Sequence, residues 1–198
     1  QGPNTGGMGA ISPSPNYTAA VAIQCMREIF MPTVAALKAE GRPFKGVLYF
    51  GLMITPNGPK VVEYNARFGD PECQAVLSLL DSDLLEIMAS CRDGILNKMD
   101  IQWKPGAACC LVLASGGYPG SYQKGYPITG LDEAGETAVV FHAGTKLDDN
   151  GDIVTNGGRV LGVTATGETL DAAIDAAYDA AKHIHFTDMH FRTDIGRV

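Results

Sequence analysis

"VVEYNARFGDPE", residues 61–72, gathers a Glu, an Asn, an Arg and an Asp at the end of an apolar strand pattern. Side chains two positions apart on a strand share a face, so Glu63 and Asn65 are predicted to point to one side, with Arg67 beside them if the strand continues. Carboxylate and amide oxygens suit Mg²⁺, and a guanidinium pairs well with phosphate. The spacing predicts a metal and phosphate site, but a solvated strand end with a capping Asp fits the same residues.

The neighbouring patterns place this stretch in a β-hairpin between helices. Two strand patterns, "KGVLYFGLMI" and "KVVEYN", flank the turn residues "TPNGP", which are typical of hairpins. A helix capped by Thr18 is predicted before the hairpin and runs to about Glu40, with Pro32 expected to kink it or to begin a second helix. Another helix is predicted after the hairpin, with Asp70 as its cap and Pro71 at its first position.

The rest of the chain indicates a further helix, several strands and a last helix. Ser82 is predicted to cap a helix that Gly94 ends, and the pattern is interrupted near Trp103. Beyond it, "AACCLVLAS" predicts a buried strand, residues 137–167 a β-meander, and "TLDAAIDAAYDAAKHIH" a helix that Thr169 begins,. This order favours an α+β fold over a doubly wound sheet. We predict two domains, residues 1–103 and 104–198.

The loop "GPNTGGMG", residues 2–9, has a composition that suits ligand binding. Gly6, Gly7 and Gly9 let the backbone approach a ligand closely, and successive N–H groups can form a nest for an anion. The loop lacks the Lys of a Walker loop, and a flexible linker is the alternative interpretation.

Lys146 and Arg159 form a second candidate group, on neighbouring strands of the predicted meander. Gly157 and Gly158 precede Arg159 directly, so backbone can approach a ligand there, and the two cations could hold a phosphate. From the residues alone, two surface cations on a hairpin are the preferred interpretation.

Composition limits the class of protein. The chain has 198 residues and a formal charge of −7, which argues against nucleic-acid binding,. Its five cysteines form no CxxC pair and predict a reducing cytoplasm without disulfides,. No apolar stretch approaches the roughly 20 residues of a membrane span, so we expect no membrane partner. The chain opens at Gln1 inside a Gly-rich loop, which predicts a piece of a longer protein.

Five motifs together resemble the phosphoribosylamine–glycine ligase family, also called glycinamide ribonucleotide synthetases, of the ATP-grasp superfamily. The motifs are "GPNTGGMGA", "VVEYNARFGDPECQ", "SGGYPGSYQKG", "FHAGTK" and "TNGGRVLGVTA", and the resemblance covers essentially the whole chain. It implies the C-terminal lobe of an ATP-grasp domain followed by a small β-rich domain with a packed helix. It also implies a cytoplasmic enzyme of purine biosynthesis that joins glycine to 5-phosphoribosylamine through an acyl phosphate, cleaving ATP to ADP and phosphate.

The resemblance implies a role for each candidate residue. Glu63 and Asn65 would hold Mg²⁺ or Mn²⁺ on the ATP phosphates, and Arg67 would steady the γ-phosphate or the acyl phosphate. Asp70 and the Gly-rich loop would frame the glycine and phosphoribosylamine pocket; the loop residues are Pro3, Asn4, Thr5, Gly6, Gly7 and Gly9. The group around Lys146, Gly158 and Arg159 matches, less securely, the cations that related enzymes direct at a ribose phosphate.

Two departures from the family pattern qualify this expectation. The N-terminal α/β domain and the adenine-binding lobe do not occur in these 198 residues, so the N-terminal portion of the chain is an expected partner and the piece alone is predicted to be inactive. The strand "GVLYFGLMI" also lacks the acidic metal ligand that many ATP-grasp enzymes carry there. The alternatives are another ATP-grasp ligase or carboxylase of purine metabolism, and a non-catalytic module that retains the scaffold.

Overall fold

The apolar run at residues 107–114 forms the central strand of the main sheet in the computed structural model, which describes residues 2–197. This strand, β4 (Ala107–Ala114), is buried along its whole length, which confirms the predicted buried strand. It pairs antiparallel with β1 (Gly9–Ser12) on one side and with β8 (Arg159–Gly167) on the other. A fourth strand, β5 (Val139–His142), pairs with β8 and completes the order β1-β4-β8-β5.

Helices cover both faces of β4. Alternate residues of a strand point to opposite sides, and in β4 the residues on both sides are apolar and buried,. Leu111 and Leu113 lie in the core against helix α6 (Leu170–Ala181). Ala108 and Cys110 pack on the other side with helix α3 (Glu72–Ser78). Each fully buried leucine contributes about 1.5–3 kcal/mol of transfer free energy, so this double-sided core is the main source of stability here.

Helix α6 begins where the sequence predicts. The Thr169 hydroxyl accepts a hydrogen bond from the Ala172 amide at 3.2 Å, which satisfies one of the free amides at the helix start,. Helices and antiparallel sheets together confirm the predicted α+β class.

The predicted β-meander was wrong. In a meander each strand pairs with the next, whereas here β5 pairs with β8, and β6 (Thr145–Leu147) pairs with β7 (Ile153–Thr155). The four segments are therefore the two arms of one long, interrupted hairpin. A hydrogen bond of 3.0 Å from the Gly144 amide to the Arg159 carbonyl joins the arms at the interruption.

The chain folds into two compact units that are not continuous in sequence. The larger unit holds the described residues up to Ser12, Asp70–Leu79, and the described residues from Lys104 onward. The smaller unit holds Pro13–Gly69 and Leu80–Trp103. The predicted division at residue 103 stays a prediction about domains.

The smaller unit contains the predicted hairpin and the helices around it. Strands β2 (Tyr49–Thr55) and β3 (Gly58–Asn65) pair antiparallel across the Pro56–Asn57 turn. Before them, α1 (Ala19–Cys25), a π-helical segment (Met26–Phe30) and α2 (Met31–Ala39) follow one another directly.

The long helical segment widens locally into a π-helical turn just before Pro32. Thr18 caps α1 as predicted, accepting from the Val21 amide at 3.3 Å. Pro32 lies in the first turn of α2, directly after the π-helical segment. Proline has no amide hydrogen and crowds the carbonyl four residues earlier, so a wider turn before it relieves both problems.

Two predicted helix caps differ in the structure. Pro71, not Asp70, is at the N-cap position of α3, and no side chain caps that end. The Asp70 carboxylate instead contacts Arg159 and Gln74. Asp83, not Ser82, caps α4 (Leu84–Asp93), because the Ser82 hydroxyl accepts a hydrogen bond from the Gln102 amide instead. Gly94 ends α4 in the left-handed conformation, as predicted.

The helical segment Ala19–Ala39 also corrects the expectation about membrane-spanning length. The segment has 21 residues and contains an 18-residue window with a mean hydropathy of 1.3, so it is long and apolar enough by length and composition to cross a membrane. Arg27, Glu28 and Lys38 interrupt the apolar run, which is why it does not stand out in the sequence. Helices in many other settings meet the same two criteria, so this is weak evidence of a membrane partner.

Candidate functional site

The acidic strand end of the smaller unit brings two predicted ligands together. Glu63 and Asn65 lie on the same side of β3, and the Asn65 amide nitrogen donates to a Glu63 carboxylate oxygen at 3.2 Å. Tyr64, between them, faces the other side, where its ring meets Phe50 edge-on with 5.3 Å between centroids. The side chains therefore follow the alternation that the sequence predicts.

A β-bulge lies directly before Glu63 and was not predicted. Gly51 pairs with Glu63 and Leu52 pairs with Val61, so Val62 is the extra residue on β3. Bulges redirect side chains and are common beside functional sites. Gly51 also makes room for the carboxylate side chain, because a Cβ there would lie 2.7 Å from Glu63 Cγ.

This arrangement fits a divalent cation that also binds phosphate oxygens. The donor set is one carboxylate and one amide, both oxygen ligands of the kind that Mg²⁺ prefers. Glu63 is exposed and Asn65 is half-buried, so both can be reached. Residues 2–197 contain no cluster of three or more His, Cys, Asp or Glu that could hold a metal by itself.

Arg67 lies just beyond the end of β3 and is exposed. Its Nη1 donates to the Phe68 carbonyl at 2.7 Å, which uses only part of the donor capacity of the guanidinium,. The remaining N–H groups can bind an anion.

A groove on the helix-facing side of the hairpin has a different character. It has a volume of about 560 Å³ and is lined mainly by apolar groups, including Leu37, Phe44, Leu48 and Tyr64. Among the described residues that line it, none belongs to the predicted site.

In the larger unit, Arg159 joins two predicted site segments that are far apart in sequence. Its Nη1 donates to the Gly7 carbonyl at 3.0 Å and to the Asp70 carbonyl at 2.9 Å. The Asp70 carboxylate lies further away, at 3.3 Å from Nη2 and 3.4 Å from Nη1. We call Gly7, Asp70, Arg159 and Tyr118, described next, the Arg159 cluster.

Tyr118 is the member of this cluster that sequence reasoning missed. Its hydroxyl accepts a hydrogen bond from the Gly6 amide at 3.0 Å. The two residues are 112 positions apart, so no local pattern connects them. The only signal in the sequence is the aromatic residue inside the Gly-rich segment "SGGYPGSYQKG".

Glycines in and next to the Arg159 cluster permit close packing within the chain itself. A Cβ on Gly7 would lie 2.4 Å from the Pro71 ring, and a Cβ on Gly158 would lie 2.2 Å from the Tyr118 ring. Gly9, in contrast, is the first residue of β1, and the space beside it is filled by Ile195. Pro3, Asn4 and Thr5 are exposed and precede the packed part of the loop.

Lys146 lies in the middle of β6, opposite Val154, and is exposed. Arg159 begins β8, which pairs with β4 and β5. The two cations therefore do not lie on paired strands, in contrast to the expectation from the predicted meander.

Burial raises the pKa of three thiols, those of Cys73, Cys109 and Cys110. The pKa of Cys110 rises to about 12 and that of Cys109 to about 11, mainly because burial disfavours the thiolate,. Burial, with a smaller contribution from the Asp70 carboxylate, also raises the pKa of Cys73. These thiols stay protonated at neutral pH and are poor nucleophiles.

Two models of one enzyme family match most of the chain. Residues 1–73 match the phosphoribosylglycinamide synthetase ATP-grasp (A) domain, and residues 108–198 match the phosphoribosylglycinamide synthetase C domain. The first match places the chain in the ATP-grasp class. The chain belongs to the phosphoribosylglycinamide synthetase family, which confirms the resemblance drawn from its motifs.

Individual relatives agree with this assignment. The chain is 49% identical to the phosphoribosylamine–glycine ligase of Rhizobium meliloti, covering 98% of this chain and 46% of the relative. It is 51% identical to that of Caulobacter vibrioides, covering 99% and 46%. The crystal structure of the Thermotoga maritima phosphoribosylamine–glycine ligase superposes with a TM-score of 0.86 at 37% identity, covering 98% of this chain and 48% of that one. The chain thus spans about half the length of the curated relatives it matches.

Proposed function

We propose that the full-length protein containing this chain is an ATP-dependent ligase of purine biosynthesis. It joins glycine to 5-phosphoribosylamine and gives glycinamide ribonucleotide, ADP and phosphate. Glycine is activated as glycyl phosphate, and the amine of the sugar then attacks the activated carbonyl carbon and displaces phosphate. Family membership and relatives named phosphoribosylamine–glycine ligase at about 50% identity support this proposal.

Glu63 and Asn65 would hold the divalent ion, Mg²⁺ or Mn²⁺. When bound, the ion neutralises negative charge on the ATP phosphates during phosphoryl transfer. The Asn65 amide nitrogen donates to one Glu63 oxygen at 3.2 Å. This hydrogen bond uses neither the Asn65 amide oxygen nor the second Glu63 oxygen, so those two atoms would be the ligands.

The basic residues would bind the phosphate groups of the substrates. Arg67 would steady the γ-phosphate of ATP or the acyl phosphate through the guanidinium N–H groups that Phe68 leaves free,. Lys146 and Arg159 would bind the ribose phosphate, although Arg159 already gives part of its donor capacity to Gly7 and Asp70. Gly158 would contribute to this site by seating the Tyr118 ring, which fills the space beside it.

Asp70 and the Gly-rich loop, residues 3–9, would orient glycine and phosphoribosylamine. The hydrogen bonds of the Arg159 cluster hold this loop next to Asp70 before any substrate binds, which reduces the entropy lost on binding,. We further propose a cytoplasmic location and a division of the chain into residues 1–103 and 104–198.

The observation that carries the metal-binding part of the proposal is the Glu63–Asn65 pair. Two oxygen-bearing side chains lie within 3.2 Å of each other at a strand end, on the side away from the aromatic packing of Tyr64. A merely solvated strand end does not require the bulge and the facing Gly51 that make room for Glu63,.

The test uses the full-length protein and its Glu63→Gln variant, which keeps the shape of the side chain and removes its charge. ADP release is measured with and without glycine and 5-phosphoribosylamine, over a range of Mg²⁺ concentrations. We expect the wild type to require both substrates, and the variant to lose roughly 100-fold or more in kcat, because partners that only orient metal ligands already contribute 10–100-fold.

Glu86→Gln is the matched control, since it makes the same change on exposed helix α4 of the same unit. It should behave as the wild type. ADP release that does not require glycine would favour another ATP-grasp ligase or carboxylase, and the absence of ATP turnover under all conditions would favour a non-catalytic module.

A further inference from the structure

We propose that Tyr118 is a positioning residue that fixes the Gly-rich loop for 5-phosphoribosylamine, an inference that rests on the proposed function. Residues 2–7 are exposed, and a glycine pair gives this loop wide conformational freedom,. The Gly6 amide donates to the Tyr118 hydroxyl, and the Gly7 carbonyl accepts from Arg159. Tyr118 therefore holds the N-terminal end of the Gly6–Gly7 dipeptide, and Arg159 holds its C-terminal end.

The Tyr118 ring packs directly against Gly158, in the segment that follows β7. Gly158 has no side chain, and its Cα faces the ring so closely that a Cβ would lie 2.2 Å from Cδ2. Buried Ser115 secures this segment: its hydroxyl donates to the Gly157 carbonyl at 2.8 Å, and its amide donates to the Gly158 carbonyl at 2.8 Å. The packing of the ring against this segment therefore fixes the position of the Tyr118 hydroxyl that accepts the hydrogen bond from the Gly6 amide.

Tyr118 and Arg159 also converge on one point of the loop. A Cβ on Gly6 would lie 3.0 Å from the Tyr118 oxygen and 3.3 Å from Arg159 Nε. Within residues 2–197, the Tyr118 hydroxyl proton and the Arg159 Nε–H have no hydrogen-bond acceptor. The same two groups that fix the loop therefore leave donors free beside it, which suits a phosphate-bearing substrate.

The test compares Tyr118→Phe with Tyr122→Phe in the full-length protein. Tyr122 is a matched control, because its ring centroid lies 6.4 Å from that of Tyr118 and its hydroxyl makes no hydrogen bond within residues 2–197. For Tyr118→Phe we expect the KM for 5-phosphoribosylamine to rise about three- to tenfold, the range of one lost hydrogen bond, with the KM for ATP and the thermal midpoint unchanged. Tyr122→Phe should match the wild type.

A double-mutant cycle adds a readout that general destabilisation does not produce. Gly6→Ala places its methyl group against the Tyr118 oxygen, so Tyr118→Phe removes part of the obstruction that Gly6→Ala meets. We expect the combined variant to lose less than the product of the two single effects on the KM for 5-phosphoribosylamine. Independent, multiplicative effects would overturn the inference.

Amide hydrogen exchange of Gly6 tests the contact without depending on catalysis. Exchange should become faster in Tyr118→Phe and stay unchanged in Tyr122→Phe. Faster exchange with an unchanged KM would overturn the positioning role, as would no change in either quantity. A wild type without glycine-dependent ADP release would overturn the proposed function and this inference together, whereas an active wild type with an insensitive Tyr118→Phe variant overturns the inference alone.

Discussion

Replacing Arg159 by Lys keeps the charge but shortens the side chain and removes Nη1, the nitrogen that joins the Gly-rich loop to Asp70. The guanidinium makes two short hydrogen bonds, 3.0 Å to the Gly7 carbonyl and 2.9 Å to the Asp70 carbonyl. Its contact with the Asp70 carboxylate is 3.3 Å long, with side chains that are 25% and 49% exposed, so that ion pair contributes little,. Both carbonyl bonds come from Nη1. The lysine side chain is one atom shorter, so its ammonium would lie near the position of Cζ and is expected to keep at most one of the two bonds.

The expected loss is therefore one charge-assisted hydrogen bond. Such a bond contributes about 1.5–3 kcal/mol, and partial exposure favours the lower end, so we expect about 1.5–2 kcal/mol. In the full-length protein this energy would appear as roughly 10- to 30-fold faster amide exchange of Gly6, measured under conditions where exchange follows the opening equilibrium.

Arg192→Lys is the control for this measurement, because Arg192 lies in the same unit and pairs with Asp194 on the exposed surface. It should leave the exchange of Gly6 unchanged. Exchange within twofold of the wild type in Arg159→Lys would refute the reasoning that Arg159 holds the loop.

Three further substitutions test other parts of the structure. Leu111 has 0% exposure, so Leu111→Ala should lower the unfolding free energy by about 2–5 kcal/mol in denaturant titrations,. Leu147 is exposed, so Leu147→Ala should lower it by under about 0.5 kcal/mol, and equal costs would contradict the assigned core,. Burial raises the pKa of Cys110 from an ordinary 9.0 to about 12, so its contribution to stability is complete below pH 9 and falls as the pH rises towards 12,. Cys110→Ala should therefore reduce the slope of the alkaline fall in unfolding free energy by up to about 1.4 kcal/mol per pH unit. An unchanged slope would contradict the assignment. Gly158→Ala should raise the KM for 5-phosphoribosylamine at least as much as Tyr118→Phe, because its Cβ displaces the Tyr118 ring; a crystal structure of the variant with an unmoved ring would contradict this.

Local rules predicted those parts of the fold that local chemistry determines. The β2–β3 hairpin follows from its turn residues and alternation, and α6 follows from its Thr169 cap and helical periodicity,. The same alternation brings Glu63 and Asn65 to one side of β3. Each of these features depends on residues that are close in sequence.

Features that depend on distant residues were not predictable in the same way. Asp70 has the sequence context of a helix cap, but its carboxylate interacts with Arg159, 89 positions away. The pairing of β5 with β8 rather than with β6 depends on where an interruption falls in a long hairpin, and hydrophobic alternation does not encode that position,. Tyr118 was missed for the same reason.

The chain passes between the two units after Ser12, Gly69, Leu79 and Trp103, and this has a consequence for protein engineering. A shortened chain that began at Lys104 would lack β1 and α3, although both belong to the larger unit. Strand β4 would then lose its strand partner along residues 108–111, and Ala108 and Cys110 would face water instead of α3. Such a piece would expose backbone hydrogen-bonding groups and apolar surface together, the combination that promotes strand-to-strand aggregation.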